Sequence, residues 1–145
     1  MEYYFDTSFL IPLFIPEETS ERVETYVRKL PVDSLRVSHW TRVEFASMLA
    51  RDVRMKVLDE AAAVVVSERF ELFLTTSFDV RPMRIEDYEL ARKYLLRFST
   101  GLRAGDAMHL AIGANARVKA LLTLDRGMLK AGKLLKLPVA TGIRL

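Results

Sequence analysis

Four carboxylates, Asp6, Glu44, Asp106 and Asp125, are spaced so that a sheet and its helices could bring them to one place. Asp6 directly follows the apolar run Tyr3-Tyr4-Phe5, and Asp125 closely follows Ala120-Leu121-Leu122-Thr123. In open parallel sheets the ligand crevice lies beyond the carboxyl ends of the strands, where loops and helix amino termini converge. An ionised carboxylate at such an end escapes the core and still rests on a rigid support. Glu44 comes a few residues after a second apolar run, Leu35 to Ser38, and Asp106 comes early in a helical pattern, so both point towards the same end. Acids gathered this way repel one another, and a hard divalent cation relieves the repulsion.

Cysteine is absent and His39 and His109 are the two histidines, so a metal must be held mainly by oxygen, which suits Mg²⁺ or Mn²⁺ rather than zinc. One ion, or two about 3.5 to 4 Å apart, would be balanced by four carboxylates and would serve phosphodiester hydrolysis, by activating water and stabilising the leaving oxygen. Each acid also has a plainer reading. Asp6 and Asp125 are in the right place to cap helices that follow strands, and Glu44 could be a solvent-facing partner of a helix dipole. Asp106 is harder to assign to the surface, because Leu102, Ala107, Leu110 and Ala111 surround it. Walker-type loops, GxGxxG and Cys/His nucleophile pairs are missing, which removes nucleotide kinases, Rossmann dehydrogenases and thiol hydrolases.

The elements that must position these acids alternate in kind. Glu2 to Phe5 reads as a strand, with Thr7 and Ser8 as capping hydroxyls for a short helix that takes Pro12 in its first turn. Glu17 to Leu30 has helical period, Leu35 to Ser38 is a strand, and Thr41 to Arg54 is a helix with Val43, Ala46, Leu49, Ala50 and Val53 on one stripe. Leu58 to Leu74 is a longer helix whose apolar run Ala61 to Val66 reads as buried or facing another subunit, and Phe78 to Pro82 is a third strand. A helix follows over Glu86 to Phe98, with Tyr88, Ala91, Tyr94, Leu95 and Phe98 on its apolar face. Another runs from about Leu102 to Ala116, then come a strand at Ala120 to Thr123, a helix over Gly127 to Leu135 and a short strand at Pro138 to Ala140. Strand and helix alternating predict an α/β fold, a single three-layer α/β/α domain over residues 1–145 with a mostly parallel sheet of about five strands.

The 145 residues carry a net charge of +3, divided unevenly. Residues 1–100 sum to −3 and residues 101–145 to +6, and Asp106 and Asp125 are the two acids in that basic final third. Such a surface can attract a phosphate backbone through counterion release, or be merely solvated. No uncharged run reaches the ~18 residues of a membrane-spanning helix, so no membrane role and a cytoplasmic location are expected.

Four segments in order, Phe5-Asp6-Thr7-Ser8, Glu44 in a helix after the second strand, Leu102-Arg103-Ala104-Gly105-Asp106-Ala107-Met108-His109-Leu110-Ala111 and Leu122-Thr123-Leu124-Asp125, resemble the PIN-domain nucleases, particularly the toxins of VapBC toxin–antitoxin pairs. The resemblance spans nearly the whole chain. It implies a PIN-like fold and an endoribonuclease that uses Mg²⁺ or Mn²⁺, with Asp6, Glu44, Asp106 and Asp125 as the catalytic, metal-binding acids. Ser8 and Thr123 would support the site as hydroxyls. It also implies a homodimer, an RNA substrate and a small antitoxin protein that reaches into the acidic groove. Gly105 departs from the bulkier residue often found before the third acid, a change expected to alter helix packing without removing a ligand.

His109 shares a helical face with Asp106 and is read as a supporting or packed histidine. His39-Trp40 could stack on a base or fill the core or a dimer interface. Arg103, Arg126 and Lys130 near the third and fourth acids are candidate contacts for RNA phosphates, with solvated surface charge as the alternative. Two other functions fit the same fold less well: a non-catalytic module that binds RNA or protein, and a PIN nuclease of RNA processing with no antitoxin. A phosphoryl-accepting receiver domain would need a Lys ending the last strand, and none is there.

Overall fold

Five parallel strands form one sheet in the order β3-β2-β1-β4-β5 in the computed structural model, which describes residues 1–145. They are β1 (Tyr3–Phe5), β2 (Leu35–Ser38), β3 (Asp79–Arg81), β4 (Ala120–Leu122) and β5 (Val139–Ala140). Seven helices flank it: α1 (Thr7–Leu10), α2 (Ser20–Arg28), α3 (His39–Arg54), α4 (Glu60–Ser77), α5 (Ile85–Leu96), α6 (Ala104–Ala116) and α7 (Arg126–Leu134). The expected α/β/α layering and parallel sheet are present. Pro12 lies in a 3-10 turn, Ile11–Leu13, that continues α1 rather than in the first turn of α1 itself.

The chain leaves β1 towards β2 on one side and later returns to β1's other edge with β4, so the strand order reverses between β1 and β4. Loops that depart in opposite directions leave a crevice at such a point. Asp6 and Asp125 flank it, and the Asp6 amide donates to Leu122 O across the gap at 3.1 Å.

Two apolar cores cover the two faces, because successive strand side chains point to opposite sides. Phe5 and Leu122 enter the core built with α2, α3 and α4, whereas Tyr4 and Leu121 enter the one built with α5, α6 and α7. Phe45 of α3 stacks on Phe70 of α4 with ring centroids 3.7 Å apart and planes 6° from parallel.

That stack fixes the rotation of α3, and it corrects the expected stripe. Thr41, Phe45 and Leu49 face inward, while Val43 is 57% exposed and Ala46 and Ala50 are also exposed. In α4 the run Ala61 to Val66 buries Ala63 alone, and Val64 and Val65 are half exposed. In α5 the inward residues are Asp87 and Ala91 and Tyr88 lies outside; the helix ends at Leu96, and Phe98, in the 3-10 turn that follows, is exposed. Asp87 is buried because its carboxylate accepts from the Arg84 amide (2.9 Å) and from Asn115 Nδ2 (2.8 Å). No helix is long and apolar enough to cross a membrane.

Gly132 lets α7 lie directly on β5. A Cβ there would collide with Val139 Cγ1 and stand 2.8 Å from Cγ2. Gly132→Ala should therefore cost about 2 kcal/mol by overpacking, read as a lower urea midpoint with an unchanged slope.

Candidate active site

Asp6 ends β1 with an extended backbone and caps α1, accepting from the Phe9 amide at 3.2 Å. The cap is thus Asp6, not the expected Thr7 and Ser8, and those hydroxyls turn to the carboxylates. Ser8 Oγ donates to the Asp6 carboxylate at 2.8 and 3.0 Å, and Thr123 Oγ1, from the end of β4, donates to it at 2.8 Å. The same two oxygens accept the amides of Leu124 (3.0 Å) and Asp125 (3.1 Å), which ties the loop after β4 to the loop after β1.

Asp6 is 3% exposed, and this burial pushes its carboxyl up to about 6 against the opposing pull of His109 and of its hydrogen bonds. Unlike a simple cap, it is a buried carboxylate held by hydroxyls at the mouth of the crevice. Asp106, in the first turn of α6, is also held above the ordinary carboxylate range, first by burial and then by the charge of Asp125. Glu44 contributes to the same rise, so these three acids share one field. Asp125 is exposed and caps α7 through the Met128 amide at 2.8 Å.

Glu44 is oriented by two partners that sequence reasoning did not pair with it as a set. Thr7 Oγ1 donates to it at 2.6 Å, and His109 Nε2 forms a short hydrogen bond with it. Burial works to raise the Glu44 carboxyl, but the bonds and charge of His109, with the Thr7 bond, outweigh it and leave it below its ordinary value. Gly105 makes this placement possible, since a Cβ there would stand 2.7 Å from Glu44 Oε2 and 3.6 Å from the Trp40 ring. Gly105→Ala should keep or slightly raise thermal stability, because Ala is the better helix former by up to ~1 kcal/mol. Displacing Glu44 should lower metal affinity ~10-fold, measured by Mn²⁺ calorimetry.

The four acids thus surround one end of the sheet, yet no three carboxylate or imidazole groups stand close enough together to hold an ion jointly. Glu44 is turned onto Thr7 and His109, and Asp125 onto its helix. The donor chemistry still fits a hard divalent cation, being oxygen throughout, with the Asp6 carboxyl raised by burial and that of Asp106 raised by burial and by neighbouring carboxylates. Trp40 packs against the second core with its buried indole N–H turned towards the Glu44 carboxylate, which it helps to hold below its ordinary value, whereas His39 is exposed beside Arg42. Arg103 precedes α6, while Arg126 and Lys130 lie one turn apart on α7. All three are exposed and none pairs with a carboxylate.

Tyr4 and Ser38 were not singled out from sequence. Tyr4 Oη lies 2.8 Å from both Ser38 Oγ and His109 Nδ1, in a fully buried setting. The available signal was a hydroxyl in the central strand two residues before Asp6, where period two puts both on one side of the sheet.

Compared with known families, the chain matches the PIN domain over residues 3–134. No curated protein sequence matches it. Among solved structures it is similar to Mycobacterium tuberculosis VapC20, a toxin that cleaves the sarcin-ricin loop, with 20% identity over 90% of this chain and 95% of that one and a TM-score of 0.72. FitAcB from Neisseria gonorrhoeae is 19% identical over 97% of each chain, with a TM-score of 0.76. A toxin–antitoxin complex from Klebsiella pneumoniae is 19% identical over 99% of this chain and 100% of that one, with a TM-score of 0.69. At these identities the likeness establishes the fold.

Proposed function

The chain belongs to the PIN domain family, and from that premise we propose that it is a divalent-metal-dependent endoribonuclease, the toxin of a toxin–antitoxin pair, working as one nuclease domain over residues 1–145. The observation that carries this reading is Asp6: a carboxylate buried at the strand-order reversal and fixed by Ser8 and Thr123, at the same end of the sheet as the half-buried Asp106, whose carboxyl is raised by burial and by Asp125 and Glu44. An uncompensated arrangement of this kind weakens the fold, so its value lies in what it binds.

Asp6, Asp106 and Asp125, joined by Glu44, are the residues that would hold Mg²⁺ or Mn²⁺, one or two ions. When bound, the ion supplies Lewis-acid stabilisation of charge that develops on the phosphodiester. The chain's own groups do the rest. Ser8 and Thr123 aim the Asp6 oxygens, and Thr7 and His109 hold Glu44. Arg103, Arg126 and Lys130 rim the crevice as cations that receive RNA phosphates on either side of the scissile bond.

The similar structures include a toxin that cleaves the sarcin-ricin loop and a toxin–antitoxin complex. They support RNA as the substrate and an antitoxin protein as the partner; a cytoplasmic location and a small antitoxin belong to the same reading. A homodimer is the expected assembly. The deciding experiment incubates the protein with a pool of structured and single-stranded RNAs plus Mg²⁺, Mn²⁺ or EDTA. Internal cleavage that EDTA abolishes supports the reading. A second reading, a PIN-fold module that binds RNA without cutting it, draws on the lack of three converging ligands; RNA binding with no cleavage under any metal would select it. Cleavage by a protein encoded without a neighbouring antitoxin would instead favour a role in RNA processing.

A further inference from the structure

The two oxygens of Glu44 are treated differently. Oε1 accepts from Thr7 Oγ1 and is bonded to His109 Nε2, whereas neither of these groups reaches Oε2. That second oxygen lies against the backbone of Gly105, where a Cβ would stand 2.7 Å from it and 3.6 Å from the indole nitrogen of Trp40. The nitrogen is buried, and no other group accepts its N–H. An oxygen short of a donor and a nitrogen short of an acceptor thus share one small cradle, closed by the first turn of α6.

Each of the two has reason to serve the other. An indole nitrogen only donates, and a buried donor without an acceptor is costly. Trp40 and Glu44 stand four residues apart on α3, so their side chains share a face of that helix before any tertiary contact is made. Gly105 then leaves the room in which they meet, since any side chain there would press on both. The direction of the Glu44 carboxyl agrees, because the indole is among the groups that lower it. Gly105 directly precedes Asp106, so Oε2 is turned to the part of α6 that carries the third acid.

We propose that Trp40 is a positioning residue whose indole N–H holds Glu44 Oε2 in the space left open by Gly105, on the side of Asp106. Thr7 and His109 fix one carboxylate oxygen and Trp40 the other, so three side chains from three helices set the plane of the group. The consequence for metal binding rests on the nuclease reading above; the contact itself does not. Base stacking or core filling by the same ring would need neither its N–H nor a glycine at position 105.

Trp40 is the single tryptophan of the chain, so one indole N–H resonance reports on it alone. In metal-free protein, ¹H–¹⁵N NMR should show that resonance moving upfield and exchanging faster with solvent in Glu44→Ala, as the bond to the carboxylate is lost. Calorimetry with Mn²⁺ then compares wild type, Trp40→Phe, Glu44→Ala and the double variant. Trp40→Phe should weaken Mn²⁺ binding ~10-fold, the lower end of the range for losing a group that orients a metal-site side chain. Once Glu44 is alanine, adding Trp40→Phe should cost no further affinity. An indole resonance that stays in place or moves downfield in Glu44→Ala overturns the proposal, and that measurement needs no change at Trp40 itself. So does a Trp40→Phe protein with unchanged affinity, or one whose loss is as large without Glu44 as with it, because either marks a ring that only packs. The upfield shift in a protein whose wild type binds no Mn²⁺ would support the contact and overturn the metal-dependent nuclease reading alone.

Discussion

Asp6→Asn should lose metal-dependent RNA cleavage by more than ~10²-fold while the fold stays intact, since even residues that merely orient ligands cost 10- to 100-fold when removed. Asparagine matches the shape of the aspartate and still accepts the Phe9 amide that starts α1. What it removes is the charge that Ser8 and Thr123 now surround. Asp106→Asn should behave alike, because Asp106 is the acid most affected by its carboxylate neighbours. Circular dichroism would check the fold, and single-turnover cleavage of an RNA pool would measure the loss. Undiminished cleavage in either variant would sink the nuclease assignment.

Without metal, the same carboxylate should make the protein less stable as pH rises. The Asp6 carboxyl titrates at about 6 in the folded chain against 3.8 for a free side chain. Between those values the folded state binds the proton and the unfolded state does not, so stability falls as pH increases. The cost is absent below the unfolded value, grows from about pH 4 to pH 6, and is complete above it at about 3 kcal/mol, roughly 10 °C in Tm for a chain of this size. In EDTA, wild-type Tm should therefore decline from pH 4 to pH 7, and Asp6→Asn should be nearly flat and more stable at pH 7. Adding Mn²⁺ should restore the wild type by mass action and leave the variant unchanged. One substitution should thus raise stability and abolish the proposed activity, the pattern expected where a site keeps charge that the fold alone would reject. A wild-type Tm that rises over this range in EDTA would refute the account of Asp6.

The alternation of strands and helices was legible because each element carries its own period, and Asp6 and Asp125 were legible because they punctuate apolar strands. What failed was the facing of helices. In α3 the aliphatic stripe through Val43, Ala46 and Ala50 looked like the buried side, yet the helix is turned by the Phe45–Phe70 stack. A period shows that a helix has a face, but a partner from another element chooses it. Asp87 shows the same limit, since nothing local indicates that Asn115 lies across from it.

The sequence by itself determined the strand and helix succession, the oxygen-only donor chemistry and the positions of four acids at element boundaries, all properties of residues and their near neighbours. Only the tertiary structure decided that Asp6 is buried against Thr123, that Glu44 is held by Thr7 and His109, and that Tyr4 lies behind His109. Those contacts join residues between 37 and 117 positions apart. They depend on parallel strand order and helix rotation, which packing sets for the chain as a whole.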